Sequence, residues 1–416
     1  MNSNWFSQWN ERLREDEEDD EEDDAQRRRN TTQVMTEAAG WLATNPLQQQ
    51  PQWGGSVRGR ATRHRSRKVA NEKLLNDYFV ADPVYHAEIF RRRYRMRREL
   101  FLRMLDHVQT ADPYFRQSQD CAGRPGFSPH QKLTCALRML ANACSTDSLN
   151  ESLCMPESTA IENLGRFCHT IVTIYQEHYL RAPTIEDLDR LLQRAEQRGF
   201  PGMIGPDTWI WHSFFGIPGA QNDITVLGRS PLFDALITGQ TPQLNYHVNG
   251  TPYEFGHYLA DGIYPKWATL VQSIKHLENE AEEYFFTKQE AYRKDVERAF
   301  EILQARFAII RQPARGWDRD SLSTIMLACI ILHNMIVEDE RDDYYNGESD
   351  DDEPNPNTSR RARTRIYDGP NLPRDPRTGH ISMAEYMSRY RRIRSCVGNN
   401  NLRNDLVQHV WANMRH

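Results

Sequence analysis

The chain has 416 residues, 38% of them hydrophobic and 10% aromatic, so it can bury a core in one large domain or two smaller ones. No apolar run approaches the ~20 residues that span a bilayer, and the N-terminus lacks a secretory-signal pattern. We therefore expect a soluble, intracellular protein with no membrane partner. Seven cysteines without a CxxC pair argue against a disulfide framework and against a zinc finger.

The net charge of −6 conceals a segregation of charge along the chain. Glu15 to Asp24 is an unbroken acidic run, whereas Arg58 to Lys68 and Arg91 to Arg98 are basic. Further on, Asp350 to Glu353 is acidic and Arg360 to Arg365 is basic. Blocks of like charge stay solvated, and they serve as tails or as contacts to polyanions.

Residues 1–73 are polar and rich in charge runs, which predicts a disordered N-terminal tail. Residues 74–197 read as helices joined by turn signals, so we expect ordered structure to begin near Leu74. Within this helical region, apolar residues spaced by four predict an amphipathic helix over 95–108. These residues are Met96, Leu100, Met104 and Val108.

The segment 128–179 predicts a helix, a short helix and a longer helix, the layout of a helix-turn-helix module. Ser128 is a good N-cap and Pro129 suits the first helical position. A short helix is expected over 149–153 and a third over 157–179. One face of the third carries Ile161, Leu164, Phe167, Cys168 and Ile171. An all-helical bundle without a DNA role explains the same pattern.

The pattern changes at Gly199. The run TWIWHSFFG (208–216) is apolar on both faces, which predicts a central, doubly covered strand. Asn222 or Asp223 is expected to cap a helix that continues through Leu236, and 258–260 is expected to form a short strand. Long helices are expected over 289–309 and 322–338. This alternation predicts an α/β sheet, and an α+β protein overall.

The predicted organisation after the helical region has three parts. Residues 199–342 form an α/β domain, residues 343–380 a disordered charged linker, and residues 381–416 a C-terminal helical segment. The last of these contains an amphipathic helix near 402–411.

Two acidic residues lie where a catalytic sheet would use them. Asp261 follows the predicted strand 258–260, and ligands bind at the carboxyl ends of strands in open α/β sheets. Glu297 flanks a predicted core stripe of Val296, Phe300, Leu303 and Phe307 on a helix. Together they could hold divalent metal ions for phosphoryl transfer. The commoner alternative is that Asp261 caps a turn and Glu297 pairs with Arg293.

Several long segments carry a resemblance to one family. They are GFPGMIG (199–205), FFGIPGAQNDITVLGRSPLFDAL (214–236), YLADGIYPKWATL (258–270), KDVERAFEILQARFAIIRQPAR (294–315), ACIILHNMIVEDERD (328–342) and LRNDLVQHVW (402–411). In this order they resemble motifs of PIF/Harbinger-type DDE transposases and the nucleases derived from them. The resemblance covers roughly residues 74–342 and the last helix.

The resemblance implies an RNase H-like core with an Asp, Asp, Glu triad that binds Mg²⁺ or Mn²⁺. By motif, the second Asp is Asp261 and the Glu is Glu297. The first Asp is expected shortly after a segment like GMIG, but here GMIG runs through Pro206 directly into DTWIWH. Compared with the family, the end of the first strand, the first catalytic Asp and the second strand are therefore missing. We expect a truncated nuclease domain over 199–342 with weakened metal binding and impaired catalysis.

Two other acidic residues are considered for the site. Asp207 falls one residue away from the position of the missing Asp. Because side chains alternate faces along a strand, its carboxylate would point the wrong way, and we do not expect Asp207 to replace the missing Asp. Asp223 is a second additional candidate. The chain departs from the family pattern at Glu301, where the family usually has Gly. The Glu301 carboxylate lies one turn after Glu297, so the two carboxylates either repel each other or recruit a cation.

The resemblance implies DNA as a partner, together with a Myb-like protein that supplies DNA recognition. The cluster Arg91, Arg92, Arg93 and Arg95 is expected to make weak contacts with nucleic-acid phosphates. Arg58 to Lys68 is either a nuclear-localisation signal or a solvated linker. We expect the nucleus as location, with the cytoplasm as a second location, and the sequence does not fix an oligomeric state.

Three hypotheses follow. The first is a transposase-derived nuclease relic that is inactive or nearly so. The second is a domesticated nuclear binding protein without catalysis, whose fold serves DNA or partner contacts. The third is that the missing segment reflects an incomplete gene model of an active nuclease.

Overall fold

The computed structural model describes residues 66–204, 208–214, 222–274, 276–313, 318–341, 364–367, 374 and 380–414, with the side chains of 295 and 296 excepted. The helices of the first half are α1 Arg67–Tyr78, α2 Ala87–Tyr94, α3 Arg98–Ala111, α4 Pro129–Asn142, α5 Thr146–Leu153, α6 Glu157–Tyr179 and α7 Ile185–Gln197. Helix α1 therefore starts seven residues before the Leu74 at which we expected order to begin, and residues 1–65 lie outside the described residues. Part of the basic segment Arg58–Lys68 is helical as a result.

Capping chemistry explains where the helices of the helix-turn-helix-like segment begin. The Ser128 hydroxyl accepts a hydrogen bond from the Gln131 amide (3.1 Å), and the Gln131 side chain accepts one from the Ser128 amide (3.1 Å). This reciprocal capping box confirms Ser128 as the N-cap of α4. The short helix α5 starts three residues before the predicted 149, because Ser145 caps it. The third helix, α6, spans the predicted 157–179.

The apolar stripes of the first half are buried largely as the periodicity predicts. Met96, Leu100, Met104 and Val108 are all buried, although α3 begins only at Arg98. On α6, the residues Leu164 to Ile171 of the predicted face are buried as well. The prediction that Ile161 is buried is wrong, since its side chain is exposed. This residue shares a helical position with Cys168, seven residues later, but it lies nearer the N-terminal end of α6, where this edge of the stripe is uncovered.

The second half contains α8 Asp223–Arg229, α9 Asp234–Ile237, β1 Gln243–Val248, β2 Thr251–Tyr253, β3 Tyr258–Ala260, β4 Leu270–Gln272, α10 Glu280–Arg306, α11 Arg319–Asp339, β5 Arg365–Tyr367, α12 Met383–Ile393 and α13 Cys396–Met414. The predicted long helix 222–236 is therefore interrupted. Asn222 caps α8 as expected, but α8 ends at Arg229, and a 3-10 turn over Pro231–Phe233 separates it from α9.

The strands form two small sheets within the described residues. In one, β1 pairs antiparallel with both β2 and β5, in the order β2-β1-β5. In the other, β3 pairs parallel with β4, with Ala260 opposite Gln272. The strand β5 lies inside the range 343–380 that we predicted as a linker. Together with the many helices, these sheets make the protein α+β.

The predicted central strand over 208–216 is wrong for its described part, since 208–214 forms no strand. Part of its apolar composition is explained by packing against helices, with Ile210 and Trp211 half-buried against the main core. Trp209 is buried and stacks on Tyr179, with ring centroids 5.6 Å apart. The Asn334 side chain on α11 accepts a hydrogen bond from the Ile210 amide (2.9 Å) and donates one to the Ile210 carbonyl (3.0 Å). An amide side chain thus satisfies the backbone groups that a neighbouring strand would pair.

Helix α11 is the central helix of the largest core and packs along α6. By length and composition it could cross a membrane, with a mean hydropathy of 1.6 over its apolar window. However, 56% of that window is buried inside the protein. Its C-terminal part, from Ala328 to Val337, is buried continuously. This is the pattern of a core helix surrounded by other helices.

Candidate catalytic carboxylates

Asp261 occupies the position predicted for it, immediately after the parallel strand β3. Its Oδ1 accepts a hydrogen bond from the Gly262 amide (2.6 Å), and its carbonyl accepts one from the Tyr264 amide (3.1 Å). Asp261 therefore caps a tight turn, which is the structural alternative to a metal ligand. Its side chain remains 51% exposed.

Glu297 lies on α10, a helix capped by Asn279 and favoured by acidic residues in its first turn. The buried stripe of this helix differs from the predicted one. Its members are Phe285, Gln289, Tyr292, Ala299, Leu303 and Phe307. The prediction that Phe300 belongs to the stripe is wrong, because 58% of this residue is exposed. The side chain of Val296 lies outside the described part of the structure. Glu297 is 61% exposed, on the open side of the helix.

One guanidinium joins the two candidate carboxylates. Arg293 donates from Nη1 to Asp261 Oδ1 (3.3 Å) and from Nη2 to Glu297 Oε1 (3.2 Å). Its Nη1 also lies 3.0 Å from Oε1 of Glu290, one turn earlier on α10. Arg293 is only 21% exposed, so its planar fork is held between strand end and helix. We name Asp261, Glu290, Arg293 and Glu297 the Arg293 cluster.

The Arg293 cluster does not fit a divalent metal ion as it stands. Mg²⁺ and Mn²⁺ need several oxygen ligands that converge on one point. Here the oxygens of Asp261 and Glu297 converge on N–H donors of Arg293 instead. Within the described residues there is no group of three or more His, Cys, Asp and Glu side chains placed to hold a metal. Three carboxylates face one guanidinium, so the cluster keeps a surplus of negative charge.

Of the two additional candidate carboxylates, Asp223 is described and Asp207 lies outside the described residues. Asp223 is exposed at the first position of α8. Burial raises the pKa of the Tyr264 phenol, and the negative charges of Asp223 and Asp261 raise it further. Both carboxylates thus act on the same phenol, which places Asp223 on the side of the molecule that carries Asp261.

Two of the four arginines predicted to contact phosphates have partners within the chain. Arg91 Nη2 lies 2.8 Å from Oε1 of Glu340, a side chain only 3% exposed. The Arg93 guanidinium lies 4.0 Å from the ring centroid of Tyr85 and donates a hydrogen bond to the Tyr78 hydroxyl. Arg95 is half-buried, and its backbone adopts the left-handed conformation (φ 63°) at the C-terminal end of α2. Arg92 is exposed.

Sequence reasoning missed a buried polar network at the C-terminal end of α11. Arg306 of α10 donates from Nη2 to Glu340 Oε2 (3.1 Å), and its Nη1 lies 3.2 Å from Nδ1 of His333. His333 Nε2 in turn donates to the Thr208 carbonyl (2.7 Å). Burial, and secondarily the Arg306 charge, lower the pKa of His333 to about 4. The sequence offered one signal for this network, namely two runs of opposite charge that could pair. They are the acidic run EDE at 338–340 and the basic run at 91–98.

The exposed side of α6 has little positive charge. Arg166 pairs with Glu162 (3.0 Å), lies 3.9 Å from Asp112 and covers the ring of Tyr114 (4.7 Å). A recognition helix needs free donors and acceptors to read base edges in the major groove. The single arginine of this face is held by its own chain.

Comparisons with known proteins give two matches. Residues 206–344 match the family described as plant transposon protein, and residues 71–109 match a domain of unknown function. No curated protein and no solved structure matches the chain. The first match includes β3, α10 and all of α11, and so it includes both candidate carboxylates. It supports a transposon-derived family for this chain.

Proposed function

We propose that this protein is a transposase-derived relative of the PIF/Harbinger-type DDE nucleases and that it no longer cleaves DNA. The match to plant transposon proteins over 206–344 supports the origin. The finer assignment rests on the motif resemblance and on the position of Asp261 at the end of a parallel strand beside Glu297. On this proposal, the two small sheets and α10 are the remnant of an RNase H-like core.

The proposed loss of DNA cleavage is supported above all by the Arg293 cluster. In two-metal nucleases, carboxylates hold ions that stabilise the attacking and the leaving oxygens. A guanidinium can offset the charge of Asp261 and Glu297, but it cannot lower the pKa of a bound water as a metal does. The missing first Asp removes a further ligand, so Mg²⁺ or Mn²⁺ would bind weakly.

A cleavage assay tests this proposal directly. Purified full-length protein is incubated with supercoiled plasmid and with linear duplexes in Mg²⁺ and in Mn²⁺, beside Asp261→Ala and Glu297→Gln. We expect all three proteins to give the same background. Robust metal-dependent cleavage that Asp261→Ala abolishes would refute the proposal.

Sequencing the messenger RNA across the codons of Gly205 to Asp207 is a second, independent test. If the coding sequence joins these residues directly, the missing segment is genuine and the loss of catalysis stands. A message that contains an additional segment with an Asp would instead make the full product a candidate nuclease. Cleavage assays would then be run on that longer chain.

A nuclear binding role without catalysis is the second candidate function. It is favoured by the continuous helical core, which ties α1 to α6 and α11 into one packed unit. Because Arg91, Arg93 and Arg166 are engaged within the chain, a protein partner of the Myb-like type is favoured over direct, sequence-specific DNA contact.

Binding measurements distinguish these partners. We expect weak duplex binding that falls steeply with salt and shows no sequence preference. A stable complex with a Myb-like protein would support the second candidate, whereas sequence-specific DNA binding by the chain alone would contradict this choice of partner. A reporter fused to residues 1–75 tests nuclear import, and cytoplasmic retention would remove that part of the proposal.

A further inference from the structure

Ser66 lies where the basic N-terminal segment enters α1. It is exposed and forms the N-cap of that helix, with its carbonyl accepting a hydrogen bond from the Ala70 amide (3.0 Å). Its hydroxyl makes no capping hydrogen bond. The hydroxyl is therefore both accessible and available for reaction.

The charge pattern around Ser66 is strongly basic. Arg63 and Arg65 lie three residues and one residue before it, and Arg67 and Lys68 follow it. Protein kinases select substrates in part by such charge patterns, since acidic groups beside the active site attract arginines near the acceptor. Arginines before an exposed serine are the pattern that an arginine-directed kinase selects.

The first turn of α1 is electrostatically unfavourable as it stands. It carries two cations, Arg67 and Lys68, and no acidic residue. Helix N-termini bear a partial positive charge, so cations there are disfavoured and anions favoured. Lys68 finds some compensation 3.9 Å from Glu72, and the Arg67 guanidinium lies over the Phe127 ring at 4.8 Å. A dianion at Ser66 would meet both cations and the helix end.

We propose that Ser66 is the phosphoacceptor of an arginine-directed protein kinase and that its phosphorylation caps α1. The Ser66 Oγ attacks the γ-phosphorus of ATP, an O–P bond forms, and the bond to the departing ADP oxygen breaks. The hydroxyl proton passes to the catalytic base of the kinase. The product carries roughly −1.5 to −2 charges at neutral pH.

The phosphate changes two properties of this region. It supplies acceptors for the amides at the start of α1, at Lys68 and Val69, and it pairs with the neighbouring cations. It also lowers the positive charge of the segment Arg58–Lys68, which weakens contacts with polyanions. Phosphorylation thus stabilises the start of α1 and weakens the attraction of this segment for polyanions. The inference does not depend on the proposed function.

The test uses the full chain, ATP and a purified arginine-directed kinase, with peptide mass spectrometry to locate the phosphate. We expect incorporation at Ser66 in the natural protein, loss in Ser66→Ala, and near loss in the Arg63→Gln/Arg65→Gln variant, which keeps the hydroxyl. Thr62→Ala, in the same basic segment, is the matched control and retains incorporation. No incorporation at Ser66, or the same total incorporation in Ser66→Ala, overturns the proposal.

Hydrogen exchange checks the capping effect on the same sample. Slower exchange of the Lys68 and Val69 amides after phosphorylation, with α13 unchanged, is expected. Unchanged or faster exchange of those two amides shows that the phosphate does not cap α1 and overturns that half of the proposal. Ser66→Asp, which can cap by its carboxylate, should slow the same amides by a smaller factor.

Discussion

Asp261 and Glu297 share one guanidinium, because Arg293 donates to the first from Nη1 at 3.3 Å and to the second from Nη2 at 3.2 Å. The two carboxylates that a metal-dependent site would bring together are indeed close to each other. The cation between them is a side chain of the same protein. The Arg293 cluster is therefore stable without an added ion, and its chemistry can be altered at a single position.

Arg293→Gln should raise the affinity of the cluster for divalent cations several-fold, since Asp261, Glu290 and Glu297 then lack their counter-ion. Because Asp261 and Glu297 are more than half exposed, the free energy of unfolding should change by no more than about 1 kcal/mol. Terbium luminescence and calorimetry with Mn²⁺ measure the binding. Arg298→Gln, on an exposed position of the same helix, is the control; equal cation affinity in both variants would contradict the prediction.

Asn334→Ala should lower the free energy of unfolding by about 2–4 kcal/mol. The Asn334 amide is fully buried and bonds to Ile210 twice and to the Tyr179 carbonyl once (2.9 Å). Its loss leaves buried backbone groups without partners. Urea denaturation measures the effect, and Asn404→Ala on an exposed position of α13 should stay within about 0.5 kcal/mol. Equal midpoints for the two variants would show that the segment 208–214 is held by other contacts.

Stability should fall as the pH drops below about 6.5, in part because of His333. Since Nε2 donates to the Thr208 carbonyl, Nδ1 presents a lone pair to Arg306, and a second ring proton would oppose the guanidinium. The folded pKa of about 4 lies below the ordinary 6.5, so the unfolded chain takes up the proton first. The stabilisation is complete above pH 6.5 and is lost towards pH 4. The difference corresponds to about 3 kcal/mol.

His333→Gln isolates this contribution, because the glutamine amide can donate to Thr208 and accept from Arg306 without titrating. Its free energy of unfolding should depend less on pH between 4.5 and 6.5 than that of the natural protein. His257 contributes in the same direction, since burial lowers its pKa to about 3, so some dependence should remain. Identical pH profiles for the two proteins would exclude His333 as a source.

Phe300 and Leu303 should respond oppositely to truncation, although both belong to the predicted stripe. Leu303 is 2% exposed, so Leu303→Ala should cost about 2–4 kcal/mol. Phe300→Gln should leave stability within about 0.5 kcal/mol and raise solubility, because it removes an exposed ring. Thermal unfolding and the onset of aggregation measure the two effects. A large loss for Phe300→Gln would mean that this ring is covered in solution.

The sequence predicted the helices of the first half well because their signals are local. Ser128, Pro129 and Gln131 specify the start of α4 within four residues, and the length of α6 follows from its apolar period. The position of Asp261 was predictable for the same reason, since the strand before it is short and apolar. The pairing of Arg293 was anticipated only as the alternative to a metal, because spacing alone does not show which partner an acidic side chain takes.

Non-local relationships were not predictable from the sequence. The run TWIWHSFF suggested a strand because both of its faces are apolar, and burial by helices gives the same composition. That Asn334 supplies its hydrogen bonds depends on a residue 124 positions away. Phe300 fits the helical period as well as Leu303 does, and only the packing of neighbouring elements decides which of them is covered.

The pairing of β1 with β5 has a consequence for how the chain is made. Gln243 pairs with Tyr367, and the Trp267 carbonyl accepts a hydrogen bond from the Asn399 side chain. Neither contact can form until the later residue of the pair has been synthesised. On the ribosome, the helical half from α1 to α6 can begin to pack while synthesis continues, although α11 completes it later. The half that carries Asp261 closes only after residues as far as Asn399 have been synthesised. Its long-range pairings should make it the slower half to fold and the one most in need of chaperones.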